Sequence, residues 1–154
     1  MDAGAVNRLL KNINNFGGIF DVNQLDGVKI FSLPVALVIN TSDHWISVYL
    51  DNDYLEIMDS SGEICSDSVN MILCRFLCTH SIGKTFISSP QLQADNSSDC
   101  GLYAVAFLYF RILTGQSLKV FLKVFGKNFH KNSKIIKKIF VSITALNKQL
   151  SSID

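Results

Sequence analysis

The chain has 154 residues, of which 48% are hydrophobic, 18% charged and only 2 are proline. These proportions suit one compact domain and exclude disordered, collagenous and solenoid architectures. Every apolar stretch falls short of the roughly 20 residues that a bilayer-spanning helix requires, so no membrane partner is expected. Net charge is +1, but residues 1–100 carry 5 Lys and Arg against 12 Asp and Glu, while residues 101–154 carry the other 9 against Asp154 alone. Opposite fields at the two ends are expected, with a basic helical part over about 115–154 of a single domain spanning 1–154. Met1 to Asn15 places Asp2 before any basic residue and lacks an uninterrupted apolar run, so the expectation is a protein that is not secreted.

In chain order, Val6, Leu9, Leu10 and Ile13 recur at helical spacing and predict a short amphipathic helix closed by Asn14-Asn15-Phe16-Gly17-Gly18, then a loop. Val35 to Ile39, Trp45 to Leu50 and Tyr54 to Met58 predict three strands, the last two a hairpin around Asp51-Asn52-Asp53. Ser66 or Asp67 can cap a helix with Val69, Ile72, Leu73, Phe76 and Leu77 on one face, ending before Ser81-Ile82-Gly83. Lys84 to Ser88 predicts a strand, Ser89 to Asp99 a polar loop, and the uncharged run from Cys100 to Phe110 a helix buried on nearly all sides. Leu118, Phe121, Leu122 and Phe125 mark another helix, and Ile136 to Leu150 a longer terminal one. The sum is an α+β fold, helices flanking a small antiparallel or mixed sheet.

The candidate chemistry begins with His44 and Asp59, almost symmetric about the hairpin turn and so expected as directly opposed cross-strand neighbours. An Asp carboxylate there can hold one imidazole nitrogen and leave the other facing outward. Cys100 opens a helix, where unsatisfied backbone N–H groups and the dipole favour a thiolate, and an adjacent imidazolium lowers the thiol pKa further. Gly101 lets a substrate backbone approach. In this arrangement Cys100 is the nucleophile, His44 the proton carrier and Asp59 the group that fixes the ring. The Cys100 backbone N–H supplies one oxyanion donor, and Gln93 or Gln91 supplies the other through its side-chain amide. No cofactor is expected; Cys74, Cys78 and His80 offer at most three metal ligands, so no metal site is assigned, and buried thiols are the plainer reading.

The runs Asp43-His44-Trp45, Met58-Asp59-Ser60-Ser61-Gly62 and Gln93-Ala94-Asp95-Asn96-Ser97-Ser98-Asp99-Cys100-Gly101-Leu102 resemble the adenain family of maturation proteases and its clan of ubiquitin-like-protein proteases. The likeness covers roughly residues 16–113. It implies catalytic His44, Asp59 and Cys100 and favours Gln93, seven positions before the cysteine, as the oxyanion donor. Asp59 stands where adenain has Glu; the clan's SUMO proteases, like this chain, have Asp there. The resemblance implies a cysteine endopeptidase cutting precursor proteins at Gly-X sites during particle maturation, located in the virion and in the nucleus or cytoplasm of the infected cell. A DNA virus or Polinton-type element is the origin it suggests, and a monomer is favoured.

The adenovirus enzyme is activated by DNA and by a small peptide joined through a cysteine. Cys74 and Cys78 fall several residues from the equivalent spacing, so activation by a peptide is left open. For DNA, Lys119, Lys123 and Lys127 recur along one expected helical face, and Lys131, Lys134, Lys137 and Lys138 continue the charge. Two alternatives compete: an isopeptidase that removes ubiquitin-like modifiers by the same chemistry, and a catalytically silent DNA-binding module. Asp99 lends weight to the second, because a carboxylate turned toward Cys100 would oppose its thiolate.

Overall fold

The structure is a computed structural model that describes residues 1–65 and 71–150, with the side chains of Cys65 and Leu150 left aside. The Ser66 or Asp67 cap and Val69 lie outside the described residues. Five strands form one mixed sheet in the order β1 (Phe16–Asp21), β2 (Val35–Asn40), β3 (Trp45–Leu50), β4 (Tyr54–Met58), β5 (Thr85–Ser88). The central β2–β3 and β3–β4 pairs are antiparallel; the outer β1–β2 and β4–β5 pairs are parallel. Helix α1 is Ala3–Leu10, α2 is Met71–Ser81, α3 is Cys100–Thr114, α4 is Leu118–Phe121 and α5 is Phe129–Leu150.

Alternate residues of each central strand face opposite layers. Ala36, Val38, Trp45, Tyr49 and Met58 pack with α1, α3 and α5, whereas Leu37, Ile39, Ile46, Val48, Leu55 and Ile57 pack with α2 and the short 3-10 turn Val22–Gly27. Burial on both faces explains why β2 and β3 read as continuous apolar runs rather than alternating ones. Helix α3 runs through the larger core and buries Tyr103, Ala104, Val105, Phe107 and Leu108 to 1% exposure or less, as its uncharged sequence requires. The one charge it buries, Arg111, is held at 2.6 Å from Glu56, at 3.0 Å from Asp51, and over the Tyr49 ring.

Three sequence expectations need correction. Gly17 and Gly18 do not close a helix: α1 ends at Leu10, and both glycines lie inside β1. A Cβ on Gly17 would come within 2.7 Å of Leu37 and Val35, and Gly18 takes φ +128 where the β1–β2 register shifts, so the glycines mark a bulge against β2. Leu118 to Phe125 is not one helix but α4 and a 3-10 turn over Leu122–Val124, which places Lys119, Lys123 and Lys127 on three different segments. Helix α5 begins at Phe129, seven residues before Ile136, where the Asn128 side chain accepts the Lys131 N–H at 2.9 Å.

Candidate active site

The site lies at the end of the sheet where β3 begins and β4 stops. The β3–β4 register pairs Ser47 with Met58 and Leu50 with Leu55, so that, continued past the strand ends, it sets Ser61 rather than Asp59 opposite His44. His44 and Asp59 are thus diagonal neighbours, two residues off direct opposition, which keeps them on the same face. The hydrogen bond forms all the same: His44 Nε2 lies 2.7 Å from Asp59 Oδ1.

Asp59 is 2% exposed, and its carboxylate is saturated by local donors. Ser61 donates to Oδ1 from both backbone N–H (3.0 Å) and hydroxyl (2.7 Å), and the Ile64 N–H donates to Oδ2 at 2.9 Å. The Asp59 backbone is pinned as well, its N–H donating to Ser89 Oγ at 2.8 Å and its carbonyl accepting the Ser89 hydroxyl at 2.6 Å. Burial alone would raise the Asp59 pKa, but the His44 and Ser61 hydrogen bonds outweigh it and hold the carboxyl below its ordinary value. Nothing in the sequence marks Ser61 and Ser89 as partners of Asp59, because Asp59-Ser60-Ser61-Gly62 has the composition of an ordinary turn.

Cys100 is the first residue of α3 and is 7% exposed. Burial pushes its thiol pKa up, but a hydrogen bond from His44 and the backbone N–H groups of Trp45 and Gly101 bring it below the usual thiol value. For His44, burial disfavours the imidazolium, and the Asp59 and Cys100 hydrogen bonds override it, raising the pKa from 6.5 to about 9. The two shifts favour one charge-separated pair, thiolate beside imidazolium, and with Nε2 engaged by Asp59 the free Nδ1 is the nitrogen available to the sulfur. Asp99 points away from this pair: Ser133 on α5 donates to its Oδ2 at 2.6 Å and Lys137 Nζ lies 3.6 Å from its Oδ1.

His44, Trp45, Ser61, Gln93, Ser97 and Cys100 share the wall of a cavity of about 640 Å³. Gln93 is buried in that wall. Ser60 fixes its amide by donating from Oγ to Oε1 at 2.8 Å, while Gln93 Nε2 donates to the Ser97 carbonyl at 3.3 Å and keeps a second N–H. The Ser60 carbonyl accepts the N–H groups of Leu92 and Gln93, so the Asp59 turn and the Gln93 loop are one unit. Gly62, at φ +71, lets the two meet, since a Cβ there would reach within 2.6 Å of the Gln91 backbone nitrogen. Gln91 is exposed, spends its Nε2 on the Gln93 carbonyl and Asp95, and lies off the cavity. Gly101 touches Met1, whose carbonyl accepts the Trp45 indole N–H at 3.0 Å, so Met1 forms part of the cavity rim. All seven lysines from Lys119 to Lys138 are exposed, and none lines the cavity. No cluster of three metal-ligating side chains occurs among the described residues.

No family profile matches the chain, and no curated protein matches it. Among solved structures, a protease of ASFV superposes with TM-score 0.54 at 16% identity, covering 82% of this chain and 59% of that one. The central domain of an uncharacterized Legionella pneumophila protein gives TM-score 0.48 at 14% identity, covering 94% of this chain and 98% of that one. A de-sumoylating protease gives 0.46 at 17% identity, covering 99% and 71%. The chain therefore has the α+β fold of the ASFV protease, spanning 59% of that protein's length.

Proposed function

We propose that this chain is a cysteine peptidase in which Cys100, His44 and Asp59 form the catalytic triad. The observation that carries the reading is the His44 imidazole, held at 2.7 Å by a buried, saturated carboxylate and sharing a cavity wall with Cys100, the residue that opens α3. In the reaction, the Cys100 thiolate attacks the scissile carbonyl carbon, and the carbonyl oxygen becomes an oxyanion held by the Cys100 backbone N–H and the free Gln93 N–H. The His44 imidazolium then gives its proton to the departing amine, leaving a thioester. His44 next takes a proton from water, whose oxygen displaces the sulfur and releases the carboxylic acid. Asp59 fixes the ring throughout and stabilises its charged form.

Replacing Gln93 by alanine is expected to lower kcat by about 10² with little change in KM, as for other single oxyanion donors. Gln91→Ala is expected to leave kcat within a factor of about two, and the reverse ranking would move the donor to Gln91. The geometry supporting Gln93 is its place in the cavity wall with Oε1 already occupied by Ser60.

As substrates we propose precursor polypeptides cut after glycine, the preference that the resemblance to adenain implies. The cavity also carries the carboxylates of Asp2, Asp43, Glu63 and Asp95 and, among the described residues, no Lys or Arg. An internally quenched peptide panel is therefore expected to favour Gly before the cut and Lys or Arg beside it, most clearly at low salt. Equal cleavage of peptides with a bulky residue before the cut would reject the glycine preference. Release of a fluorophore from a SUMO or ubiquitin ester, with no peptide cleaved, would instead identify a deconjugating isopeptidase.

We extend the proposal to DNA through the exposed lysines of α4, α5 and the segment between them. Duplex affinity is expected to fall steeply as salt rises, with a smaller slope for the Lys134→Glu, Lys138→Glu double variant. Absence of binding at low salt would remove DNA from the account.

A further inference from the structure

Helix α5 is basic along its first half, yet two neighbouring residues there, Asn132 and Ser133, are neither basic nor apolar. Asn132 is 1% exposed, a position that an apolar side chain could fill without the desolvation cost of an amide. Its amide is fully used: Nδ2 donates to the Leu92 carbonyl at 3.0 Å and to the Gly126 carbonyl at 2.8 Å, and Oδ1 accepts the Gly126 N–H at 3.0 Å. The Leu92 carbonyl also accepts the Tyr103 hydroxyl of α3 at 3.3 Å, so α3 and α5 grip the same peptide group. One residue along the helix, the Ser133 hydroxyl donates at 2.6 Å to Asp99, itself 6% exposed.

Leu92 directly precedes Gln93, and Asp99 directly precedes Cys100. Two consecutive α5 residues therefore anchor the chain one residue before each of the two oxyanion donors. We propose that Asn132 and Ser133 are positioning residues that set the spacing of the Gln93 amide and the Cys100 N–H from a single rigid helical turn. Buried polar networks with every member satisfied fix one geometry, and displacement of an oxyanion donor by about 1 Å is enough to cost up to about 10² in rate. Neither residue touches the cavity, and in Ser133→Ala the Lys137 ammonium still holds Asp99 on the side away from Cys100, so substrate affinity and the thiolate are expected to be left intact.

The inference rests on the peptidase reading, and its test separates the two. Asn132→Ala and Ser133→Ala are compared with the unaltered protein for peptide cleavage, for alkylation of Cys100 by iodoacetamide, and for amide hydrogen exchange over residues 90–101. A kcat lowered about 10- to 100-fold is expected, with KM and alkylation rate within about twofold, faster exchange over the segment, and restoration by Ser133→Thr. Ser133 is only half-buried, so its alanine variant is expected to fold even where Asn132→Ala fails to. Loss of alkylation in step with kcat would assign these residues a merely structural role and overturn the proposal, as would unchanged kcat in both folded variants. If the unaltered protein cleaves no peptide, the peptidase reading falls. Exchange then still decides the anchoring: protection over 90–101 equal in variant and unaltered protein overturns it.

Discussion

Replacing Cys100 by alanine is expected to abolish peptide cleavage, a loss of at least about 10⁴-fold in kcat, while the protein still folds. No other described thiol stands in the cavity: Cys74 and Cys78, expected from the sequence as buried thiols, are instead exposed on α2. Their alanine variants are expected to keep full activity. The removed sulfur is small, and the core around α3 is held by Tyr103, Phe107 and Leu108, so circular dichroism should report an unchanged fold. Cys100→Ser is the sharper variant, since it retains size and a hydrogen-bonding group but raises the proton affinity of the nucleophile far above that of a thiol. It should fall close to the alanine variant. Activity surviving in either would remove Cys100 from the chemistry.

The second large effect concerns His44. Its pKa is raised to about 9 by Asp59 and Cys100 against the effect of burial, and that of Cys100 lies below the ordinary thiol value. As pH rises, the thiol of the pair deprotonates first and activity appears; as pH passes through about 9, the imidazolium loses the proton needed by the leaving amine and activity is lost. A bell-shaped profile of kcat/KM is expected, with its alkaline limb near 9. His44→Ala should lower kcat by about 10⁴ and return Cys100 reactivity toward that of a free thiol, because the alanine supplies neither charge nor proton. In Asp59→Asn the ring loses a negative partner but keeps a hydrogen-bond acceptor, so the alkaline limb should move to lower pH and kcat should fall by less than in His44→Ala. A profile whose alkaline limb is unmoved in Asp59→Asn would contradict the electrostatic role given to that carboxylate.

Much of this site was legible in the sequence because its members lie at ends of strongly patterned elements. Trp45 to Leu50 and Tyr54 to Met58 announce themselves as strands, and a hairpin brings their open ends together whatever its turn. The turn itself was not legible. Direct opposition of His44 and Asp59 followed from symmetry about Asp51-Asn52-Asp53, but the register is set two residues away, and the pair meets diagonally. An even slip preserves the face, which is why the inference about the bond survived an error in the pairing. Cys100 was legible from the uncharged run behind it, which buries α3 and leaves its first turn at the cavity.

The missed features are those whose meaning is tertiary. Gly17 and Gly18 carry the local signature of a helix stop, and only the close approach of Val35 and Leu37 turns them into a bulged edge strand. The parallel β1–β2 and β4–β5 pairs depend on crossovers that no short-range pattern specifies. Gln93 and Gln91 are alike in local sequence and only the family spacing favours Gln93; in space they separate by the Ser60 hydroxyl that orients one and the exposure of the other. Ser61, Ser89 and Asn132 have ordinary turn or helix-surface identities, and their roles arise from which carboxylate or carbonyl the fold brings within reach.

The central claim, that Cys100 is a nucleophile activated by His44, is tested most directly by covalent capture. The purified protein is treated with a peptide ending in Gly-Gly that carries a thiol-reactive group in place of the scissile carbonyl, and the modified residue is located by mass spectrometry. The account predicts a single adduct on Cys100, formed rapidly in the unaltered protein and at most slowly in His44→Ala. Slow, comparable labelling of all four cysteines, indifferent to the His44 substitution, would contradict it.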